Sequence, residues 1–253
     1  MDETEDLIRL TGRALVAQMG DVPGVELHLT RNCFLGLTGE PMADFNVLTL
    51  ARDPDVEAFF DQSIARAKAR GLPLVAMMSP NVTPDLAPVA TRLGLIAAGT
   101  SPLMVLRAPT PIPPGRPTKI TRALGPELVR MAGDLIAAAF GAPREVIARC
   151  IDVGVTETAG FETYIAWDDD GPASTVSVTR TGTTAGISLM ASAPGRQRKG
   201  VGRALLTLVI GDYRALGVER FHLGATPAGL PLYASLGFET ITELSVWVLP
   251  PPG

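Results

Sequence analysis

Cysteine is scarce, with Cys33 and Cys150 the only two in 253 residues. They lie far apart and have no Cys-x-x-Cys or His-x-x-x-His partners. This excludes a disulfide framework and the usual zinc ligand sets, and two reduced thiols are expected. Long apolar runs are missing too, so no segment spans a bilayer as a helix. The first residues, Met1-Asp2-Glu3-Thr4-Glu5-Asp6, are acidic, the opposite of a secretory or organellar leader. A cytoplasmic protein that does not enter a membrane is expected. Charged residues make up only 19% of the chain and the net charge is −4. There is no general attraction to nucleic acid, and any basic site must be local. Asp168-Asp169-Asp170-Gly171 lacks the spacing of a calcium loop and reads as a hairpin turn. No metal is expected.

What the chain has is apolar residues, 46% of the total. That suffices for the core of one large domain or two ordinary ones. A helical pattern runs through Leu7, Leu10, Leu15 and Met19. Strands are predicted at 25–29, 33–37 and 45–50. Asp53-Pro54 reads as the N-cap and first position of a helix with Val56, Phe59, Phe60, Ile64 and Ala67 on its apolar face. A strand at 72–78, a short helix at 85–93 and a strand at 103–106 follow.

Residues 108–118 hold five prolines in eleven positions. Such a segment cannot form a helix or pair centrally in a sheet, and it reads as a linker. Beyond it, helices are predicted near 125–140 and 143–153, and strands at 164–167, 174–180, 186–192 and 220–225. The order divides the chain into domains 1–107 and 119–253. The two share an ending. Pro88-Val89-Ala90-Thr91-Arg92-Leu93-Gly94-Leu95 aligns without gaps on Pro231-Leu232-Tyr233-Ala234-Ser235-Leu236-Gly237-Phe238. Upstream of each lies a helix closed by glycine, Gly71 or Gly217, then a strand. This is the signature of a tandem duplication.

The stretch richest in chemistry is Met190–Gly217. A strand end, Met190-Ala191-Ser192, leads through the basic turn Gln197-Arg198-Lys199-Gly200-Val201-Gly202 into a helix with Val201, Leu205, Val209 and Tyr213 at helical spacing. A basic, glycine-containing turn before a helix start gathers free N–H groups and the positive end of the helix dipole, which makes an anion cradle. The first half has Arg52-Asp53-Pro54-Asp55 at the matching place, where two acids repel a phosphate.

Gln197-x-x-Gly200-x-Gly202 and Leu232-Tyr233-x-x-Leu236-Gly237-Phe238 together resemble the GNAT superfamily of acyl-CoA-dependent N-acyltransferases. They match its Gln/Arg-x-x-Gly-x-Gly/Ala and Tyr-x-x-x-Gly-Phe patterns, in proper order and separation, over residues 119–249. The first half looks like a degenerate copy without the CoA motif. The resemblance implies an α/β (α+β) fold of two tandem GNAT-like domains, each a mixed, mostly antiparallel twisted sheet flanked by helices. It implies acetyl-CoA as co-substrate, its pyrophosphate held by backbone amides of Arg198, Lys199, Gly200, Val201, Gly202 and Arg203 with Gln197 at the turn. The strand end at Met190, Ala191 and Ser192 is expected to pair with the pantetheine arm. The family's usual Asn after the fifth strand is replaced by Thr226, whose hydroxyl can still meet a pantetheine amide.

Tyr233 is the expected catalytic residue. An amine attacking a thioester expels a thiolate, and a thiol of this kind has a pKa of about 8.5 against about 10 for tyrosine. A tyrosine beside the sulfur can donate the proton as the C–S bond breaks. The general base stays open. Many relatives carry a Glu on the strand before the CoA loop, but Gly186-Ile187-Ser188-Leu189-Met190 has no carboxylate. Glu162, His222, a water relay, or an amine arriving neutral are the alternatives. The acceptor is expected to be an amine of a small molecule or a peptide, a small molecule being favoured, bound in a groove between residues 125–157 and the final strands. Nothing in the sequence nominates its class, and monomer and homodimer both remain open. A non-catalytic acyl-CoA sensor is the rival to an N-acetyltransferase. A nucleotide-binding protein is disfavoured, because the loop lacks a Gly-x-x-x-x-Gly-Lys-Ser/Thr pattern.

Overall fold

The computed structural model describes residues 2–20, 22–152 and 160–252. The chain forms two compact units, Met1–Leu103 with Thr240–Gly253, and Met104–Glu239.

The first unit begins with α1 (Glu3–Met19), whose start is capped by the Asp2 carboxylate accepting from the Thr4 amide. Strands β1 (Glu26–Leu29), β2 (Phe34–Leu37) and β3 (Asn46–Leu50) follow as an antiparallel meander. Helix α2 (Val56–Ala69) returns the chain to β4 (Leu74–Met78), parallel to β3. Then come α3 (Thr83–Arg92) and β5 (Ile96–Arg107). Alternate residues of β3 and β4, including Leu48, Leu50, Leu74 and Met78, share one buried cluster with Phe60, Ile64 and Ala67 of α2. The last strand of the chain, β11 (Glu239–Leu249), pairs antiparallel with β4, so the strand order is β1-β2-β3-β4-β11-β5.

The second unit takes residues 104–107 of β5 and continues through β6 (Lys119–Arg122), α4 (Gly125–Phe140) and α5 (Arg144–Cys150). It then runs through β7 (Phe161–Asp168), β8 (Gly171–Thr181), β9 (Thr184–Ser192), α6 (Val201–Ala215), β10 (Arg220–Gly224) and α7 (Leu230–Ala234). Its strand order is β5-β10-β9-β8-β7-β6, with β6 to β9 antiparallel and β10 parallel to β9. Helix α6 buries Val201, Leu205, Val209 and Tyr213, as their spacing predicts, in a cluster with Val176, Val178, Phe221 and Leu223. Helix α4 packs against β7, β8 and β9.

The order of elements repeats. The run β1-β2-β3-α2-β4-α3-β5 recurs as β7-β8-β9-α6-β10-α7-β11. The aligned glycines share a left-handed backbone, Gly71 and Gly217 with φ of 64° and 87°, Gly94 and Gly237 with φ of 83° and 91°.

Five details differ from the sequence expectations. Sequence order keeps residues 119–253 together, whereas Thr240–Gly253 belongs with the first unit, because β11 finds its ladder partner in β4. Strand β6 was not predicted, and β5 begins at Ile96 rather than 103. Helix α2 starts at Val56, so Asp53 caps the turn that leads into it rather than the helix itself: Asp53 Oδ1 accepts from the Asp55 amide at 3.4 Å, while Oδ2 accepts from Thr30 Oγ1 at 2.9 Å and the Asn32 amide at 3.1 Å. The second helical segment expected to 153 ends at Cys150, and residues 153–159, part of the expected acceptor groove, lie outside the described residues. Residues 108–118 form no helix, as their prolines require, yet they do not hang free: Ile112 packs against the core of the second unit.

Candidate active site

Every residue expected to bind or act on an acyl-CoA falls within the second unit. The site begins where two parallel strands separate. Pairing of β10 with β9 covers Arg220–Thr184, Phe221–Ala185 and His222–Gly186, and stops there, although β9 continues to Ser192 and β10 to Gly224. Beyond Gly186, one backbone edge of β9 has no strand partner among the described residues, and such an edge can accept an extended amide-bearing ligand as an added strand.

A bulge re-aims that edge. Thr175 stands opposite Ala191 and Ser177 opposite Ser188, so Val176 faces two residues, Leu189 and Met190. Leu189 adopts a left-handed φ of 49°, a conformation costing a non-glycine residue roughly 1–2 kcal/mol. Sequence reasoning missed it, because a leucine carries no sign of this backbone state. The side chain of Ser192 is engaged, its Oγ 2.7 Å from Ser174 Oγ, so what the strand end offers a ligand is backbone.

The loop after β9 is tied back to the β7–β8 turn by Arg196, which donates to the carboxylate of Asp168 and, at 3.0 Å, to the carbonyl of Asp170. That hairpin turn forms where Asp168-Asp169-Asp170-Gly171 predicts it. Past Arg196 the backbone turns left-handed at Arg198 (φ 59°) and at Gly200 (φ 79°), the N-cap of α6. The first helical bond is from the Ala204 amide to the Gly200 carbonyl at 3.0 Å. Among the described residues the amides of Gln197 to Arg203 donate to no protein group, and Gln197, Arg198, Lys199 and Gly200 are exposed. Left-handed residues alternating with right-handed ones converge successive N–H groups into an anion nest, here at the positive end of a helix dipole. Gly202 permits close approach of helix and strand: a Cβ there lies 2.8 Å from Met190 Cε and 3.5 Å from Ser192 Oγ.

The cradle helix is joined to the helix carrying Tyr233. Arg203 donates through Nη2 to Ser235 Oγ at 2.6 Å, and Ser235 Oγ donates to the Leu232 carbonyl at 2.6 Å. Tyr233 is 8% exposed, its ring edge-on to Phe238 with centroids 5.9 Å apart. Among the described residues its hydroxyl bonds to no protein group. Burial pushes its pKa above the usual tyrosine value, so the phenol stays protonated and able to donate. Thr226 Oγ1 accepts from the Gly229 amide at 3.2 Å, which closes the turn before α7 and leaves the threonine proton to be donated elsewhere.

The two candidate bases have other occupations. Glu162 Oε1 sits 2.9 Å from Arg122 Nη2, while Oε2 accepts from the hydroxyls of Tyr213, at 2.8 Å, and Tyr164. Burial raises the pKa of Tyr164 to about 12 and raises that of Tyr213, so both hydroxyls remain donors. A carboxylate held by three donors anchors the C-terminal half of α6. His222 is 7% exposed and lies against Gly186, where a Cβ stands 3.1 Å from its Nε2.

Comparison with known proteins follows the same outline. Residues 159–240 match the model of the acetyltransferase (GNAT) domain. No curated protein matches the chain in sequence. Among solved structures, a GCN5-related N-acetyltransferase from Kribbella flavida superposes with a TM-score of 0.69 over 98% of this chain and 96% of its own, at 15% identity. A second, from Sphaerobacter thermophilus, reaches 0.63 over 99% and 94% at 15% identity. A tandem GNAT protein from the clavulanic acid biosynthesis pathway reaches 0.59 over 96% and 92% at 16% identity. Residues 159–240 are thus a GNAT acetyltransferase domain, set in a chain-long fold of the kind that tandem GNAT proteins adopt.

Proposed function

We propose that the second unit is an N-acetyltransferase that moves the acetyl group of acetyl-CoA to a small-molecule amine. One observation carries the reading: an anion nest, an open strand edge and a buried tyrosine ring whose hydroxyl has no protein partner among the described residues belong to one unit, with nest and tyrosine helix joined by Arg203. The nest at Gln197–Arg203 suits the pyrophosphate, and the open edge of Met190, Ala191 and Ser192 suits the amides of pantetheine, with Thr226 donating from the opposite side.

In the reaction the acceptor nitrogen attacks the thioester carbonyl, the C–N bond forms and the C–S bond breaks. The Tyr233 hydroxyl gives its proton to the departing sulfur, and the proton shed by the acylated nitrogen passes to water, from which the phenolate is reprotonated. No carboxylate is assigned as base, because Glu162 is engaged by Arg122, Tyr164 and Tyr213. An amine that arrives neutral needs none. The first unit, with Asp53 and Asp55 at the start of its corresponding helix, keeps the scaffold and leaves the phosphate site to the second.

Thiol release from acetyl-CoA over a panel of small amines, beside calorimetric titration with CoA, tests the reading. Turnover on at least one amine supports it. Tight CoA binding with no turnover on any amine replaces it with an acyl-CoA sensor.

A further inference from the structure

We infer that the proline-rich segment supplies a phosphate-binding residue, Arg116, to the acyl-CoA site; this rests on the acyl-CoA reading above. Residues 107–116 run along the cradle helix as a strap, fastened at several points. Arg214, near the C-terminal end of α6, donates to the carbonyls of Thr110 at 2.8 Å and Arg107 at 3.3 Å. In mid-helix, Thr207 Oγ1 donates to the Pro113 carbonyl at 3.2 Å. Near the N-terminal end, Gly115 lies so close to Ala204 that a Cβ on it stands 2.7 Å from the Ala204 Cα, a contact no side chain allows.

These fastenings set the register of the strap, and the register brings the next residue, Arg116, to the mouth of the nest. Its Cδ lies 3.8 Å from the Cβ position of Gly200, the left-handed N-cap of α6. Beyond that atom the guanidinium has no acidic partner among the described residues and is exposed. The Thr118 hydroxyl donates to the Arg116 carbonyl at 3.2 Å, which steadies the backbone. A planar cation with several donors, carried on a fastened backbone beside a row of free amides, is suited to a phosphate oxygen, and a guanidinium can bind it through two hydrogen bonds. A flexible linker needs no such fastening. One that bears on the ligand does.

The test is calorimetric titration of the full chain with CoA, dephospho-CoA, which lacks the 3′-phosphate, and pantetheine, which lacks all three phosphates. Arg116→Ala, Arg116→Lys and, as a control for bulk charge, Arg130→Ala are compared with the unaltered protein. The expected result is a roughly tenfold loss of CoA affinity in Arg116→Ala, part of it recovered in Arg116→Lys, with no change in Arg130→Ala or in the melting temperature. Persistence of the loss with dephospho-CoA assigns Arg116 to the diphosphate, and its disappearance assigns Arg116 to the 3′-phosphate. Normal CoA affinity in Arg116→Ala overturns the inference while leaving the acyl-CoA reading intact. Absence of CoA binding by the unaltered protein overturns both.

Discussion

The ring of Tyr233 occupies the space that a side chain on Gly229, one helical turn earlier, would need: a Cβ there falls 2.8 Å from Tyr233 Cε2 and 3.4 Å from Cζ. The ring has Phe238 on another side and little room to retreat. Gly229→Ala should therefore push the hydroxyl off its line without altering its chemistry. A displacement of about 1 Å at a reacting group costs on the order of a hundredfold in rate. Steady-state kinetics should show kcat falling by that order with the CoA dissociation constant nearly unchanged. An unaltered kcat would show that the position of the Tyr233 ring is not critical.

Removing the hydroxyl itself is the companion measurement. Tyr233→Phe keeps the ring and its packing and deletes only the proton donor. General acid catalysis contributes about 10²–10⁴-fold, so turnover should drop by at least about a hundredfold while acetyl-CoA binding is retained. Equal turnover in the two proteins removes Tyr233 from the mechanism.

The two glycines of the cradle should respond differently to alanine. Gly200 has φ of 79°, so Gly200→Ala places a Cβ in a left-handed residue at a cost of about 1–2 kcal/mol and disturbs the nest. CoA affinity should fall roughly tenfold. Gly202→Ala meets chiefly the terminal methyl of Met190, the mobile end of a flexible side chain. Its affinity should stay within about threefold, since methionine re-packs readily. Titration of both variants with CoA decides whether the nest or merely the small size of residue 200 matters.

Glu162 separates a structural from a catalytic carboxylate. Its three donors are Arg122, Tyr164 and Tyr213. Glu162→Gln replaces charge-assisted bonds by weaker ones and should cost about 1–3 kcal/mol in stability by denaturant titration. Near-normal kcat at saturating substrates is the expected partner of that loss. A collapse of kcat with unchanged stability would restore Glu162 as the base.

Alkaline pH gives a further check. Tyr164, Tyr213 and Tyr233 all have pKa values raised by burial, Tyr164 to about 12. Below the unfolded value of about 10 the protonated forms cost nothing in either state. Above it the unfolded chain sheds protons that the folded chain retains, so stability falls as pH rises. Thermal unfolding should weaken from about pH 10 upward, and Tyr213→Phe should flatten that decline. General acid activity should not be lost through ionisation of Tyr233 before that range.

Much of the site was legible in the sequence because its signals are local. Gln197 to Gly202 is a contiguous turn on one helix start, and Tyr233 sits in a contiguous motif. The helix between them announces itself through Val201, Leu205, Val209 and Tyr213. What escaped notice depends on partners distant in the chain. Arg122 and Tyr213 reach Glu162 from different elements, and only folding shows the carboxylate to be occupied. The bulge at Leu189 is set by pairing with β8, and leucine gives no hint of a positive φ. Arg116 stands in a segment whose prolines signal a spacer. The cation after Gly115 was the available sign, but its meaning depends on the register of the strap along α6.

The position of β11 has a consequence for biosynthesis. In the first unit this strand lies between β4 and β5, though it is made last. As the chain leaves the ribosome, residues 1–103 can gather their helices and five strands, but the slot between β4 and β5 must wait until residues 240–249 emerge. Until then the ladder groups of β4 that β11 will take are an open strand edge, a hazard for mispairing. Cutting the gene at the proline-rich segment separates neither unit cleanly: 119–253 carries away a strand of the first unit and leaves behind the end of β5 that the second requires. The repeated order of elements therefore does not correspond to two separable pieces of chain, since each piece would lack a strand segment that its unit uses.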